Sequence, residues 1–148
     1  MKLSSRVFAI ITAGIAGALM AIQGTFNSAL VKIVGLLEGT FIVHLIGTIT
    51  AGIVVLFWGN GNFGKIGEVP WYAWLGGVIG VGIIVGVTMS IPKLGVGAAT
   101  TAIIAAQLLT AYLIDHFGLF GMKQLSFTYL KLLGIVLMVV GARLLLNK

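Results

Sequence analysis

The chain has 148 residues, 59% of them hydrophobic and 8% charged, with a mean hydropathy of +1.19. A soluble domain carries about a quarter of its residues as charges, so this composition excludes a water-soluble globular fold and points to a membrane. The net charge of +6 is no nucleic-acid signature, because the basic residues stand singly beside apolar segments, where cationic side chains reach lipid headgroups.

Crossing a hydrocarbon core of about 30 Å takes roughly 20 helical residues. Five segments have that length and character: 7–29, 39–58, 71–91, 95–114 and 129–146. Barrel strands would show stretches of about ten residues alternating apolar and polar, and these segments do not alternate. The expected fold is therefore an all-α integral membrane protein, one domain of five transmembrane helices.

The first segment follows Lys2 and Arg6 and contains small residues at Ala16, Gly17 and Ala18, as a signal peptide does. It runs past the usual apolar length of about 7 to 15 residues, and cleavage would discard Gln23 and Asn27, so it reads as a helix that is kept. Residues 30–38 mix Val31, Ile33, Val34, Leu36 and Leu37 with Lys32, which suggests a segment lying in the membrane interface. The stretch 59–70 is the clearest loop. It carries Asn60, Asn62, Lys65, Glu68 and glycines, with Trp58, Trp71, Tyr72 and Trp74 at its rims, the headgroup depth that Trp and Tyr favour. Pro92 is expected to stop the third helix and leave a tight turn through Lys93 and Leu94 into the fourth, the two packing as an antiparallel hairpin. Residues 115–128 form the last connection. No internal repeat, low-complexity tract or soluble domain is legible.

Lys and Arg counted on alternate faces normally set membrane orientation. Lys2, Arg6, Lys65, Lys123 and Lys131 fall on the face of the amino terminus, and Lys32, Lys93, Arg143 and Lys148 on the other, five against four. So even a split allows insertion both ways up and pairing of two oppositely oriented copies; a single orientation set by the two charges ahead of the first helix is the alternative. Gly14 with Ala18, Gly76 with Gly80 and Gly82 with Gly86 are small-xxx-small pairs that let helix backbones approach. Two such pairs on different faces of the third helix predict that other helices surround it.

No enzyme is expected. Three acids, two histidines and no cysteine make a poor catalytic inventory, and there is no phosphate-binding glycine loop after a strand. Glu38, His44, Glu68, Asp115 and His116 are scattered over separate segments, so no metal site is read, and no cofactor is expected.

Polar residues within the spans are costly in hydrocarbon and so mark candidate sites. Gln23 and Asn27 stand four apart on one face of the first helix. Glu38 opens the second, and His44 lies about 9 Å deeper, with Thr48 a turn beyond. Gln107 lies past the middle of the fourth, with Thr100 and Thr110 on its face. Each has a plain alternative: the threonines and Gln107 as hydrogen-bond partners of a neighbouring helix or their own backbone, Glu38 as a helix N-terminal acid, His44 as a satisfied interhelical contact. His44 stands out because an imidazole changes charge near neutral pH.

The run Gly17-Ala-Leu-Met-Ala-Ile-Gln-Gly-Thr-Phe-Asn-Ser-Ala-Leu30, the stretch Gln107-Leu-Leu-Thr-Ala-Tyr-Leu-Ile-Asp-His-Phe-Gly-Leu-Phe-Gly121 and the run Leu133-Gly-Ile-Val-Leu-Met-Val-Val-Gly-Ala142 resemble the YdcZ family of the drug/metabolite transporter superfamily. The resemblance covers essentially the whole chain. It implies a multi-pass, five-helix half-transporter in a bacterial inner membrane, paired with an inverted copy of itself or of a paralogue. Its pattern falls on Gln23, Asn27, Gln107, Asp115 and His116; Glu38 and His44 are not general family positions.

The expected function is a small secondary transporter of a polar or cationic solute. A cavity between the first four helices would have Gln23, Asn27 and Gln107 on the solute, with Glu38 or His44 coupling it to protons. The partners are then the solute, the bilayer and a second chain, with no nucleic acid. A dual-topology ion channel and a non-transporting membrane subunit are the alternatives; neither a ring of like charges for a filter nor a docking domain is present in the sequence.

Overall fold

The computed structural model describes residues 3–126 and 128–146, and Lys2 and Lys148, counted above for orientation, lie outside the described residues. Among the described residues there is no strand, and the α-helices are α1 (Leu3–Val34), α2 (Leu36–Trp58), α3 (Leu75–Leu94), α4 (Val96–Phe117) and α5 (Tyr129–Leu146). Hydrocarbon offers backbone amides no partner, so an apolar chain that enters it closes its hydrogen bonds within each helix. Among the described residues four stretches are long and apolar enough to cross a membrane: Ser5–Val34, Leu36–Trp58, Trp71–Leu94 and Val96–Phe117. The 18 residues of α5, with Lys131 in its first turn and Arg143 in its last, are not among them.

The helices run longer than the hydropathy pattern suggests. Residues 30–38 are not an interfacial segment: α1 continues to Val34 and α2 begins at Leu36, leaving Gly35 alone between them. The apolar residues expected to lie in the interface instead prolong both helices, and the break falls at the residue able to adopt φ 103° and ψ 159°. Pro92 does not stop α3, which continues to Leu94. Proline costs the helix one N–H but its ring holds a helical φ, and the chain turns only at Gly95, with φ 82° and ψ 160°.

These two junctions share one geometry. In each, a glycine at positive φ separates two helices and its carbonyl accepts the first bond of the next: Gly39 N to Gly35 O at 3.0 Å, Ala99 N to Gly95 O at 3.1 Å. The glycines are 95 − 35 = 60 residues apart. The same offset pairs Ser28 with Thr88, Gly39 with Ala99, Thr40 with Thr100 and Thr50 with Thr110. A repeated helix-glycine-helix element is therefore present, hidden in the sequence because its matched positions are few and of types common in membrane helices.

The chain divides into two compact units, Met1–Pro92 and Lys93–Lys148. In the first, α1 packs on α2, and α3 approaches α1 at Gly24, where a Cβ would stand 2.9 Å from Val87 Cγ1. The connection from α2 to α3 holds two short 3-10 turns, Phe63–Glu68 and Trp71–Trp74, the first opened by Asn62 Oδ1 accepting from Gly64 N at 2.8 Å. Trp58, Trp71 and Trp74 at its rims are exposed, as side chains at headgroup depth are.

In the second unit α4 packs on α5. Gly118, left-handed at φ 60° and ψ 35°, ends α4. The following turn folds back on it: Leu125 N donates to Asp115 O at 2.8 Å and Gln124 Nε2 to His116 O at 2.9 Å. These bonds satisfy carbonyls that a helix end leaves without partners.

The junction glycines generate a stability test. Gly35→Ala and Gly95→Ala each force a side chain into a backbone region that only glycine occupies freely, at a cost of about 1–3 kcal/mol. Gly52→Ala, where a Cβ would meet nothing within 4 Å, gains about 0.4–1 kcal/mol. Melting in detergent, followed by size-exclusion of heated samples, should fall for the first two variants and hold or rise for the third.

Candidate functional site

The two units have different interiors. In the second, the buried side chains are apolar: Ala99, Ile135 and Ala142. In the first, each buried residue among those described is a glycine or carries a polar side chain: Gly24, Asn27, Ser28, Gly39, Thr40 and Thr88. Large apolar residues such as Phe26, Phe41 and Leu56 face outward, where lipid tails solvate them. Polar groups on the inside of a membrane unit are the costly arrangement, kept where they pair or serve a solute.

Close helix contacts build this interior. A Cβ on Gly39 would stand 2.7 Å from Val31 Cγ2 and 3.1 Å from Val31 Cα, so α2 meets the backbone of α1 there. That approach buries Thr40, 3% exposed, whose Oγ1 donates to Leu36 O at 2.7 Å. One turn on, His44 Nδ1 lies 2.9 Å from Thr40 O. A carbonyl only accepts, so Nδ1 carries the hydrogen and the neutral ring has its lone pair at Nε2. That nitrogen points to α3, 3.5 Å from where a Cβ on Gly80 would be. Thr88 on α3, 2% exposed, donates to Ile84 O at 2.8 Å. Asn27 is buried, 7% exposed.

The sequence candidates separate on this geometry. Asn27 is buried and His44 half-buried inside the first unit, whereas Gln23, on the same helix as Asn27, is exposed. Glu38 is exposed in the first turn of α2, and its carboxylate folds over Gly35 so closely that a Cβ there would collide with Oε2. That is where an acid meets the positive end of the helix dipole. Gln107 is exposed on α4, and Asp115 and His116 are half-buried at its end, all in the second unit. His116 lines an apolar groove between α4 and α5 with Tyr112, Leu132 and Ile135. Among the described residues no group of three or more acids, histidines or cysteines stands close enough to hold a metal ion.

Ser28, Thr40 and Thr88 were not singled out from sequence. Ser28 neighbours Asn27 and Thr40 precedes His44 by one turn, which are weak signals; burial alone distinguishes them from Thr12, Thr25 and Thr50. Those three donate to the carbonyl four residues back, as Thr40 and Thr88 do, but lie exposed. Thr110 does the same with Ala106 O at 2.9 Å, so its hydroxyl is satisfied by its own helix. Among the described residues nothing stands within 4 Å of where a Cβ on Gly14, Gly76, Gly82 or Gly86 would be, whereas Gly80, paired with Gly76 in the sequence, meets His44 of α2.

Residues 8–144 match the protein family described as "Putative inner membrane exporter, YdcZ", of the drug/metabolite transporter type. The chain belongs to that family. This YdcZ-family chain is accordingly a multi-pass inner membrane protein of the transporter class. A search of curated proteins and of solved structures gives no match to it.

Gly39 tests whether the α1 and α2 contact creates the polar interior. Gly39→Val places three carbons against the backbone at Val31 and should destabilise the protein by about 1–3 kcal/mol. Hydrogen exchange should then rise at residues 24–44 and stay unchanged in α4 and α5.

Proposed function

We propose that this chain is half of a secondary transporter that carries a small polar solute out across the inner membrane through the polar interior of its first unit, in exchange for protons. The observation that carries this reading is that interior: a family of membrane exporters, and in this member buried side chains on α1, α2 and α3 that are small and polar where lipid gives no reason to bury them. Asn27 contacts the solute. His44 exchanges the proton, because its Nδ1 is committed to Thr40 O and its Nε2 is left to accept. Glu38 stabilises the start of α2. Gln23 and Gln107, exposed in the single chain, face the pathway once a second copy is in place.

The second copy is inverted, and α5 serves as a fifth span. Five basic residues against four leave orientation almost unbiased. The open glycine faces at Gly14, Gly82 and Gly86 suit close approach of another helix. Inverted halves are a common way to build two-sided carriers.

Proteoliposomes loaded with a panel of polyols, amides, amino acids and organic cations test the transport reading. Efflux of at least one solute should saturate, exchange against the same solute outside, and quicken with an imposed pH gradient. His44→Ala should abolish that quickening, while Glu38→Gln should keep it and lose about 0.3–1 kcal/mol of stability. Flux that neither saturates nor exchanges identifies a channel instead, and no flux of any solute refutes transport by this chain alone.

Orientation is measured separately. The chain has no cysteine, so Asn60→Cys supplies a unique label site in the exposed connection between α2 and α3. An impermeant maleimide should reach roughly half of the molecules in intact cells and the remainder after permeabilisation, as an unbiased charge distribution predicts. Labelling confined to one condition rules out the inverted pair of identical chains.

A further inference from the structure

The connection between α2 and α3 is polar in composition and apolar on its surface. It carries Asn60, Asn62, Lys65 and Glu68. Yet Phe63, Ile66, Trp71 and Trp74 stand exposed on its two 3-10 turns, with Phe57 and Trp58 exposed at the end of α2. A loop projecting into water would leave these side chains wet at about 25 cal/mol for each Å². Tryptophans at both ends set it instead at headgroup depth, where its apolar groups reach hydrocarbon and its polar groups reach water.

Two grooves open on this connection, of about 410 and 490 Å³. Lys65, Ile66, Val69 and Trp74 line the first, and Val55, Leu56 and Gly59, at the end of α2, line the second. Asn62 and Phe63 belong to both, so the grooves flank one ring and meet at one amide. The polar groups at that meeting point are donors. Asn62 Oδ1 is taken by Gly64 N at 2.8 Å, which turns the N–H groups of Nδ2 away from the turn, and Lys65 brings an ammonium. None of the three acids in the chain lines either groove. An anionic headgroup therefore meets a cation and amide N–H groups here, whereas the ammonium of a zwitterionic headgroup finds no carboxylate in the lining.

The geometry points to a bound anionic phospholipid of the phosphatidylglycerol class, its phosphate on Lys65 and Asn62 and its two acyl chains in the grooves on either side of Phe63. Charge complementarity selects this occupant: two apolar grooves that meet at a basic, donor-rich position match a molecule with one anion and two tails. Such a lipid holds the connection, and with it the adjoining ends of α2 and α3, at a fixed depth in the membrane. The inference goes beyond the transport reading and stands or falls independently of it.

The chain carries its own reporter, because its three tryptophans are Trp58, Trp71 and Trp74, all at the ends of this connection. The full chain is reconstituted in equal parts of phosphatidylethanolamine and phosphatidylglycerol, with brominated acyl chains on one lipid at a time. Bromine quenches tryptophan at short range, so brominated phosphatidylglycerol should quench more strongly, with a relative binding constant about fivefold higher, the effect of one basic residue at a membrane surface. Lys65→Gln, a change at an exposed side chain, should bring the two lipids near parity, and Lys65→Arg should keep the preference. Lys123→Gln, which removes a charge from the second unit, should leave it unchanged. Equal quenching by the two lipids in the parent chain, a preference that survives Lys65→Gln, or an equal fall in Lys123→Gln overturns the inference. So does weak quenching by both lipids, as a second chain lying over the connection would give. Recovery of fluorescence on adding free glycerol phosphate overturns it too, since the site would then be one for soluble phosphate esters.

Discussion

Lipid tails solvate a leucine as well as another leucine does, and this removes the force that sorts a soluble protein. What is driven inward is what hydrocarbon cannot serve, the amides, hydroxyls and imidazoles, together with the glycines that let helices come close enough to cover them. The first unit follows that rule: its buried residues among those described are Gly24, Asn27, Ser28, Gly39, Thr40 and Thr88, while its phenylalanines and most of its isoleucines face outward. A helix contact as tight as that between Gly39 and Val31 is there because no side chain stands between the two backbones.

The second unit shows that polar burial is not forced by the membrane alone. Built from the same kinds of residue, it encloses Ala99, Ile135 and Ala142, and its hydroxyls at Thr101 and Thr110 are retired onto the preceding turn. Thr40 and Thr88 are bonded in the same local way but are also enclosed. The two units thus differ in whether such hydroxyls lie inside or outside the helix packing.

The matched junctions at Gly35 and Gly95 add a mechanical constraint. Each fixes where one helix ends and the next begins through a backbone conformation that other residues adopt only at a cost. Each also sets the register of the residues after it, so that Gly39 and Ala99 fall at the same place in the following turn and both are buried. Hydropathy could not reveal this, because helix, glycine and helix read as one continuous apolar stretch.

Much of the architecture was legible from the chain itself. Length and hydropathy give helices of membrane-spanning length, their approximate number and the loop at 59–70, because apolar length is a local property measured against a fixed bilayer thickness. Asn27 and His44 were legible as candidates by the same reasoning, since a polar group in a greasy span is conspicuous. Helix ends were not, because Pro92 and the residues around Lys32 carry local preferences that the surrounding helix overrides. Nor were Ser28, Thr40 and Thr88: a hydroxyl on a membrane helix looks alike in sequence whether it faces lipid or interior. Which face is enclosed depends on where another helix comes to lie, and that is a property of packing.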